Sequence, residues 1–339
     1  MKRFGDTVFY TATDLCHFSD CQYRSLRDKR SLFEKLEKTE QDDQAALITR
    51  KGKEHEARYL ATLTAQGASP FEPLYSIPHD PNKELSITRE ALKEGHEYIY
   101  QAMLAKDTLW GLSDFLKRVK KPSALGDFSY EVVDTKLGKS HKATYTLQLC
   151  FYSELLESLQ GTLPEYAYIV DGTSTPRPYR IADYYSYYQN LKEEFLATLT
   201  ATENSTISPE PCAHCSICHW RNYCKGVWEE VDHLSQVARM TGPQRKRFTN
   251  IGVSTMAQLA QYEGAPPDRI APRVFSRLKE QARLQIAGRE KPTFSFVHPD
   301  DGGIGFKALP SRSPGDLFYD IEADPLIKAE ALENEDFQL

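Results

Sequence analysis

The sequence predicts an α/β chain in which a mixed central sheet is flanked by helices. Three observations carry this. Residues 108–119 and 128–137 are dense in β-branched and aromatic side chains and are separated by the polar stretch 120–127, the texture of two adjacent strands joined by a turn. On either side, residues 50–63 and 144–156 repeat apolar side chains at helical spacing. Two further strand-like stretches follow at 165–172 and 178–185, ahead of a long helical segment from about Asp183 toward Ala201.

The remaining elements follow in order. In residues 11–30, Thr13 is a plausible N-cap for a short helix that ends in basic residues. In the helix of residues 50–63, Ala57, Leu60 and Leu63 share one side, and His55 and Glu56 sit near its start. The Ser/Thr/Pro-rich stretch 200–211 reads as a linker. A cysteine-rich segment, 208–226, comes next, and residues 236–248 read as a charged helix opening another small unit. Pro- and Gly-rich text beyond about 290 gives way to one apolar strand, 316–324. Domain boundaries are placed near 208 and 232, and no repeat of fixed period is present.

A chain of 339 residues, 40% apolar and 27% charged, can bury a sizeable core and more than one domain. No apolar run approaches the ~18 residues a membrane span needs, and the N-terminus lacks the apolar core of a secretory signal. The reading is a cytoplasmic protein with no membrane partner. A net charge of −6 argues against coating nucleic acid by bulk electrostatics. Local basic clusters remain at Arg24, Arg27, Lys29 and Arg30, at Lys117, Arg118, Lys120 and Lys121, and at Arg245, Lys246 and Arg247. Each taken alone is most simply a solvated face.

The residues that carry chemistry begin with Gly111-x-x-Asp114 and Glu131-x-x-Asp134-x-Lys136, acidic motifs on neighbouring predicted strands. Phosphodiester hydrolysis needs such parts: carboxylates to hold Mg²⁺ or Mn²⁺, and a lysine to position the attacking water or the scissile group. Strand alternation puts Asp134 and Lys136 on one face, with Thr135 and Glu131 pointing away from Asp134. A lone Asp-x-Lys pair is common, and on a surface it contributes almost nothing; its neighbours give it weight. His55 can add a neutral imidazole ligand, although a histidine taken singly is more often structural. Gln148 and Tyr152 stand one helical turn apart and can both face the strand carrying Asp134, a spacing that an ordinary amphipathic helix would also produce.

Seven cysteines in a reducing compartment are unsuited to disulfides, and four fall between Cys212 and Cys224. Cys215, Cys218 and Cys224 form a compact set that Cys21, far upstream, could join, and four thiolates suit either Zn²⁺ or a [4Fe-4S] cluster. Cys16 and Cys212 compete for places in that set. Cys150, on an apolar helix face, reads as a core thiol.

In order and spacing, His55, Gly111-x-x-Asp114, Glu131-x-x-Asp134-x-Lys136 and Gln148-x-x-x-Tyr152 resemble the motif series of RecB-type nucleases of the PD-(D/E)XK superfamily, over residues 8 to 225. The resemblance implies a restriction-endonuclease-like core over residues 1–231, with His55, Asp114 and Asp134 as metal ligands for Mg²⁺ or Mn²⁺. It makes Lys136 the catalytic lysine and puts Gln148 and Tyr152 on the DNA strand; whether Glu56 assists or replaces His55 stays open. The implied activity is a DNA nuclease, an exonuclease rather than an endonuclease, acting on single strands or ends in repair, recombination or defence. Thr13-Asp-Leu15 followed by Cys21 resembles the opening of the iron-sulfur branch, which implies a 4Fe-4S cluster on Cys21, Cys215, Cys218 and Cys224, with zinc as the alternative.

Residues 232–290 resemble a helix-hairpin-helix module, through Arg239-Met-Thr-Gly-Pro243, Phe248, Ile251-Gly252-Val253 and Leu259, although a plain helical connector fits them equally. Residues 291–339 read as a linker and the truncated start of an RNase H-like domain, whose first motif Asp320-x-Glu322 resembles. In the related architecture a superfamily I helicase follows, so a helicase in the same longer polypeptide or in trans is an expected partner. The competing readings are a catalytically inactive DNA-binding or scaffold protein and a zinc-ribbon protein with incidental acidic motifs.

Overall fold

A computed structural model describes residues 1–40, 43–75, 81–138, 142–172, 175–201, 207–291 and 309–320. The chain opens with a small hairpin not anticipated from the sequence. Strands β1 (Lys2–Phe4) and β2 (Thr7–Phe9) pair antiparallel across a turn at Gly5, which takes φ +59°. Helix α1 (Ala12–Asp20) is capped by Thr11, not Thr13. The Thr11 side chain accepts from the Asp14 amide while Asp14 accepts back from the Thr11 amide, and the amino terminus of Met1 lies 2.6 Å from the same carboxylate. Cys21 separates α1 from α2 (Gln22–Arg30).

Helix α3 (Asp43–Ala65) is longer than the expected 50–63 segment, which moves His55 and Glu56 from its start to its middle. Its buried stripe is His55, Tyr59 and Leu63, whereas Ala57 is exposed. Spacing of four matches that stripe better than a set beginning at Ala57, because i and i+4 stack along one face. Helix α4 (Pro81–Glu94) and strand β3 (Tyr98–Lys106) were not foreseen. Strand β4 (Leu109–Val119) and strand β5 (Ser129–Thr135) fall where the sequence put two strands. Helix α5 (Ala143–Gln160), strands β6 (Tyr166–Val170) and β7 (Pro176–Arg180), and helix α6 (Ala182–Thr200) complete the layer.

Among the described residues the main sheet runs β3-β4-β5-β6-β7, all antiparallel neighbours except the parallel β5–β6 pair, whose crossover is α5. One face packs against α1, α5 and α6 through Leu15, Val132, Phe151, Ile169 and Phe195. The opposite face packs against α3 through Tyr59, Leu63, Phe115, Val133 and Val170. Alternate residues of β5 and β6 feed the two layers, as strand pleating requires.

After α6, a 3₁₀ turn (Ala213–Ile217) leads to α7 (Arg221–Glu230). The charged helix expected from Gln236 starts later, as α8 (Gly242–Asn250), because Thr241 caps it reciprocally with Gln244 and a proline occupies its first turn. Helices α8, α9 (Met256–Gln261) and α10 (Pro272–Glu290) enclose a core of their own that includes Phe248, Met256, Leu259 and Leu278. The chain divides into two compact units, Met1–Ile286 and Ala287–Leu339. In the second, residues 309–320 form no helix or strand, so the described part of the expected terminal strand lacks pairing, and Glu322 lies outside the described residues. No helix among the described residues is long and apolar enough to cross a membrane.

Candidate active site

The geometry is set by β4 and β5. Their ladder pairs Phe115 with Val133, and one step further along Asp114 comes opposite Asp134. Asp114 is fixed in place: one carboxylate oxygen accepts from the Thr135 amide at 2.8 Å and from the Thr135 hydroxyl at 2.7 Å. Thr135, which alternation had turned away from the site, therefore holds one of its carboxylates. Glu131 does point elsewhere, accepting from the Tyr166 amide and the Tyr168 hydroxyl.

Strand β4 changes faces at the site. A methyl carbon added at Gly111 would come 3.1 Å from the Tyr152 ring of α5, whereas Phe115, four residues on, packs edge-on against Tyr59 of α3 at 5.1 Å. In a regular strand residues four apart face the same way, so the alternation slips between them. Gln101, the residue of β3 that the register sets opposite Asp114, adopts φ +50°, a left-handed conformation uncommon for a non-glycine side chain. The slip lets Asp114 interact with groups from both layers.

Glu56 of α3 arrives from one layer, hydrogen bonded by the side-chain amide of Gln101 and by Tyr100. Burial raises its carboxyl above the usual range and the charge of Asp114 adds to the rise. Asp134, only 4% exposed, arrives with Lys136, whose ammonium lies 2.6 Å from its carboxylate. Burial pushes the Asp134 carboxyl upward; Lys136 opposes this, while Asp114 and Glu56 reinforce it. Burial works to lower Lys136, but Asp134 and Asp114 outweigh it and hold the ammonium charged. Tyr152 is raised by burial and by the same two aspartates. Three carboxylates, one ammonium and one phenol thus share one field.

His55 is 1% exposed, and its Nε2 stands 3.1 Å from the carbonyl of Val170, which also accepts from the Lys136 amide at 2.9 Å. A ring nitrogen facing a carbonyl must carry the proton, so the other nitrogen, Nδ1, is the one whose lone pair a metal ion could take. Among the described residues that Nδ1 has no hydrogen-bond partner, and neither does the buried Oε1 of Gln148. Buried polar atoms without partners are costly, and both are the donor types a divalent ion or a substrate would satisfy. The donor set therefore fits a hard divalent ion: the crowded negative charge that raises the proton affinity of Glu56 and Asp134 is equally suited to a cation. As the side chains stand, no group of three His, Cys, Asp and Glu among the described residues closes around a metal-sized space.

The cysteines separate into two places. Cys21, Cys212, Cys215, Cys218 and Cys224 line one cavity together with Trp220 and Trp228. The Cys212 and Cys215 sulfurs are 3.8 Å apart, and all are free thiols. Burial raises Cys21, takes Cys215 up to about 11 and takes Cys224 up to about 12, with neighbouring sulfurs adding to each rise. Cys16 lies elsewhere, buried in the main core with its thiol donating to the Thr144 carbonyl at 3.4 Å. It is no rival for the cavity, whereas Cys212 is. Cys150 is a fully buried core thiol.

Sequence reasoning missed Tyr100, Gln101 and the role of Thr135. The signal for the first two was the apolar and aromatic run of Tyr98–Lys106, which identifies β3 and, through pairing with β4, the neighbours of Asp114. In comparison with known proteins, the sequence pattern of the PD-(D/E)XK nuclease superfamily matches residues 17–225, more than half of the chain. No curated protein matches it.

Proposed function

Because the chain belongs to the PD-(D/E)XK nuclease superfamily, whose members are metal-dependent nucleases acting on DNA, we propose that it is an active RecB-like exonuclease of single-stranded DNA or DNA ends. The observation that carries this is the cluster of Glu56, Asp114 and Asp134 around the ammonium of Lys136. In this reading Asp114 and Asp134 hold Mg²⁺ or Mn²⁺, with Glu56 and the free Nδ1 of His55 completing the set. Bound there, the ion supplies a water of lowered pKa and neutralises developing charge on the phosphate.

The chain's own residues do the rest. Thr135 keeps the Asp114 carboxylate from turning away. Lys136, charged and tethered beside Asp134, positions the attacking water or the scissile phosphate. Tyr152, held against the flat backbone of Gly111, and Gln148, one turn before it, contact the strand being cut. Little sequence preference is expected, since phosphate contacts carry no base information.

The test is cleavage of end-labelled single-stranded DNA with Mn²⁺ by the wild-type protein beside Asp134→Ala. The variant should lose activity by on the order of 10³-fold or more; equal cleavage by both would remove the site from the mechanism.

The five-thiol cavity supports a second part of the reading, a 4Fe-4S cluster held by Cys21, Cys215, Cys218 and Cys224, with Cys212 adjoining. Five thiols lining one cavity offer a metal centre the sulfur ligands it takes as thiolates. Anaerobically purified protein should be brown, with broad absorption near ~400 nm. A colourless, zinc-containing preparation would replace iron by zinc at the same sulfurs. Residues 232–290, with α8 and α9 joined through Gly252 at φ +82°, would add a helix-hairpin-helix contact to DNA backbone. Residues 291–339 would form the linker and the start of an RNase H-like domain.

A further inference from the structure

Beside the thiol cavity lies a groove of about 940 Å³ between α2, residues 31–40 and α7. Five cationic side chains line it: Arg27, Arg30, Lys35, Lys38 and Arg221. Its two acidic residues are Glu37 and Glu40, so the excess is cationic in a chain whose net charge is −6.

Arg27 is the most informative of the five. It is 9% exposed, and its guanidinium lies 3.6 Å from the ring centre of Tyr223 and 4.8 Å from that of Trp220. Among the described residues it forms no ion pair with a carboxylate, and its Nε has no hydrogen-bond partner. A guanidinium packed against aromatic faces, with no carboxylate beside it among the described residues, suits an anion from outside as its counter-charge. Residues 31–40 are held where such an anion would meet them, since the Thr39 amide donates to the His219 carbonyl at 2.7 Å. Lys35 and Lys38 are exposed on that segment, with the Lys38 ammonium 5.4 Å from the Trp220 ring. Tyr223 is 41% exposed.

Clustered cations beside a partly exposed aromatic ring are the two components of single-strand binding, phosphates on the charges and a base stacked on the ring side that Arg27 leaves free. We propose that this groove is a binding subsite for single-stranded DNA, separate from the carboxylate cluster, which anchors the strand while another part of it is cut. The proposal rests on the nuclease reading for its choice of polyanion.

The experiment measures binding of a fluorescent oligothymidine by anisotropy, without divalent metal so that no strand is cut, across a salt series. Lys35→Glu/Lys38→Glu, both at exposed positions, should weaken binding at least ~10-fold and reduce the slope of log K against log salt by about 1.4, about 0.7 for each phosphate no longer neutralised. Tyr223→Ala should weaken binding by about 5- to 150-fold, the loss of one stacked base, and should bind an abasic strand of equal length as well as the wild type does. Unchanged affinity and slope in the lysine variant, or duplex bound as well as single strand, overturns the proposal. If those results accompany normal Mn²⁺-dependent cleavage, the nuclease reading stands and only the groove is wrong. Wild-type protein that neither binds nor cuts DNA sinks both.

Discussion

Gly111 illustrates how a missing side chain shapes the site. A methyl there would come 3.1 Å from both Cε1 and the hydroxyl of Tyr152, tighter than ordinary packing allows. Gly111→Ala should displace the phenol, cost about 1–3 kcal/mol of stability, and lower cleavage more than a surface substitution would. Urea melts of Gly111→Ala in wild-type and Tyr152→Ala backgrounds check the cause. The cost should largely vanish in the second background, and an equal cost in both would show that the ring is not what the methyl meets. Gln101 makes a complementary point. Its left-handed backbone is a strained feature, and the side chain it presents is the one that holds Glu56.

At the scale of elements, α5 is pinned to its neighbours by a buried charge. Glu154, 4% exposed, accepts from Lys192 of α6 at 2.7 and 2.8 Å, from Tyr188 at 2.6 Å and from Lys106 of β3 at 2.9 Å. Burial works to raise this carboxyl, but the hydrogen bonds from Lys192, Tyr188 and Lys106 outweigh it and hold it below the ordinary value. A folded-state value below the unfolded one means stability that is present in full above the usual carboxylate range and is lost as pH falls through it. Glu154→Gln should therefore destabilise at pH 7 by about 3 kcal/mol, the cost of leaving a buried partner unpaired. Lys192 should dominate over the more exposed Lys106. The gap between wild type and variant should close toward pH 3 in thermal melts; a constant gap across pH would exclude the charge as its origin.

For the whole molecule, the thiol cavity ties the start of the chain to the end of the nuclease region, since Cys21 precedes α2 and Cys224 sits in α7. Asp28 reinforces the tie, accepting from His219 at 2.7 Å and from the Trp220 indole at 2.9 Å. Burial works to raise this carboxyl, but His219 and Trp220 outweigh it and hold it below its ordinary value. Closing a loop of that length removes much unfolded-state entropy, about 5 kcal/mol in the chain-entropy account. On the cluster reading proposed above, anaerobic chelation should lower Tm by several degrees, and restoring iron and sulfide should recover it. A Tm that does not move would mean that the sulfurs clasp nothing structural.

Much of this was legible in the sequence because it is local. The period of residues 144–156, the alternation around Asp134 and the cysteine spacing each depend on neighbours a few positions away. Even so, α4, β1, β2 and β3 were passed over. Local text also misplaced the first cap by two residues, because a threonine at 11 and one at 13 look alike until Asp14 reaches back. The basic run Arg24 to Arg30, read as one cluster, is divided: Arg24 faces His214 and Asp28, Lys29 donates to the Leu199 carbonyl, and Arg27 stacks on aromatic rings. By itself the sequence determined which chemical groups the protein carries and the strands and helices that bear most of them. Only the tertiary structure decided which groups share a field. Glu56 and Gln101 meet Asp114 through strand register and a slipped alternation, and pairing across strands is set by packing of the whole sheet rather than by adjacent residues.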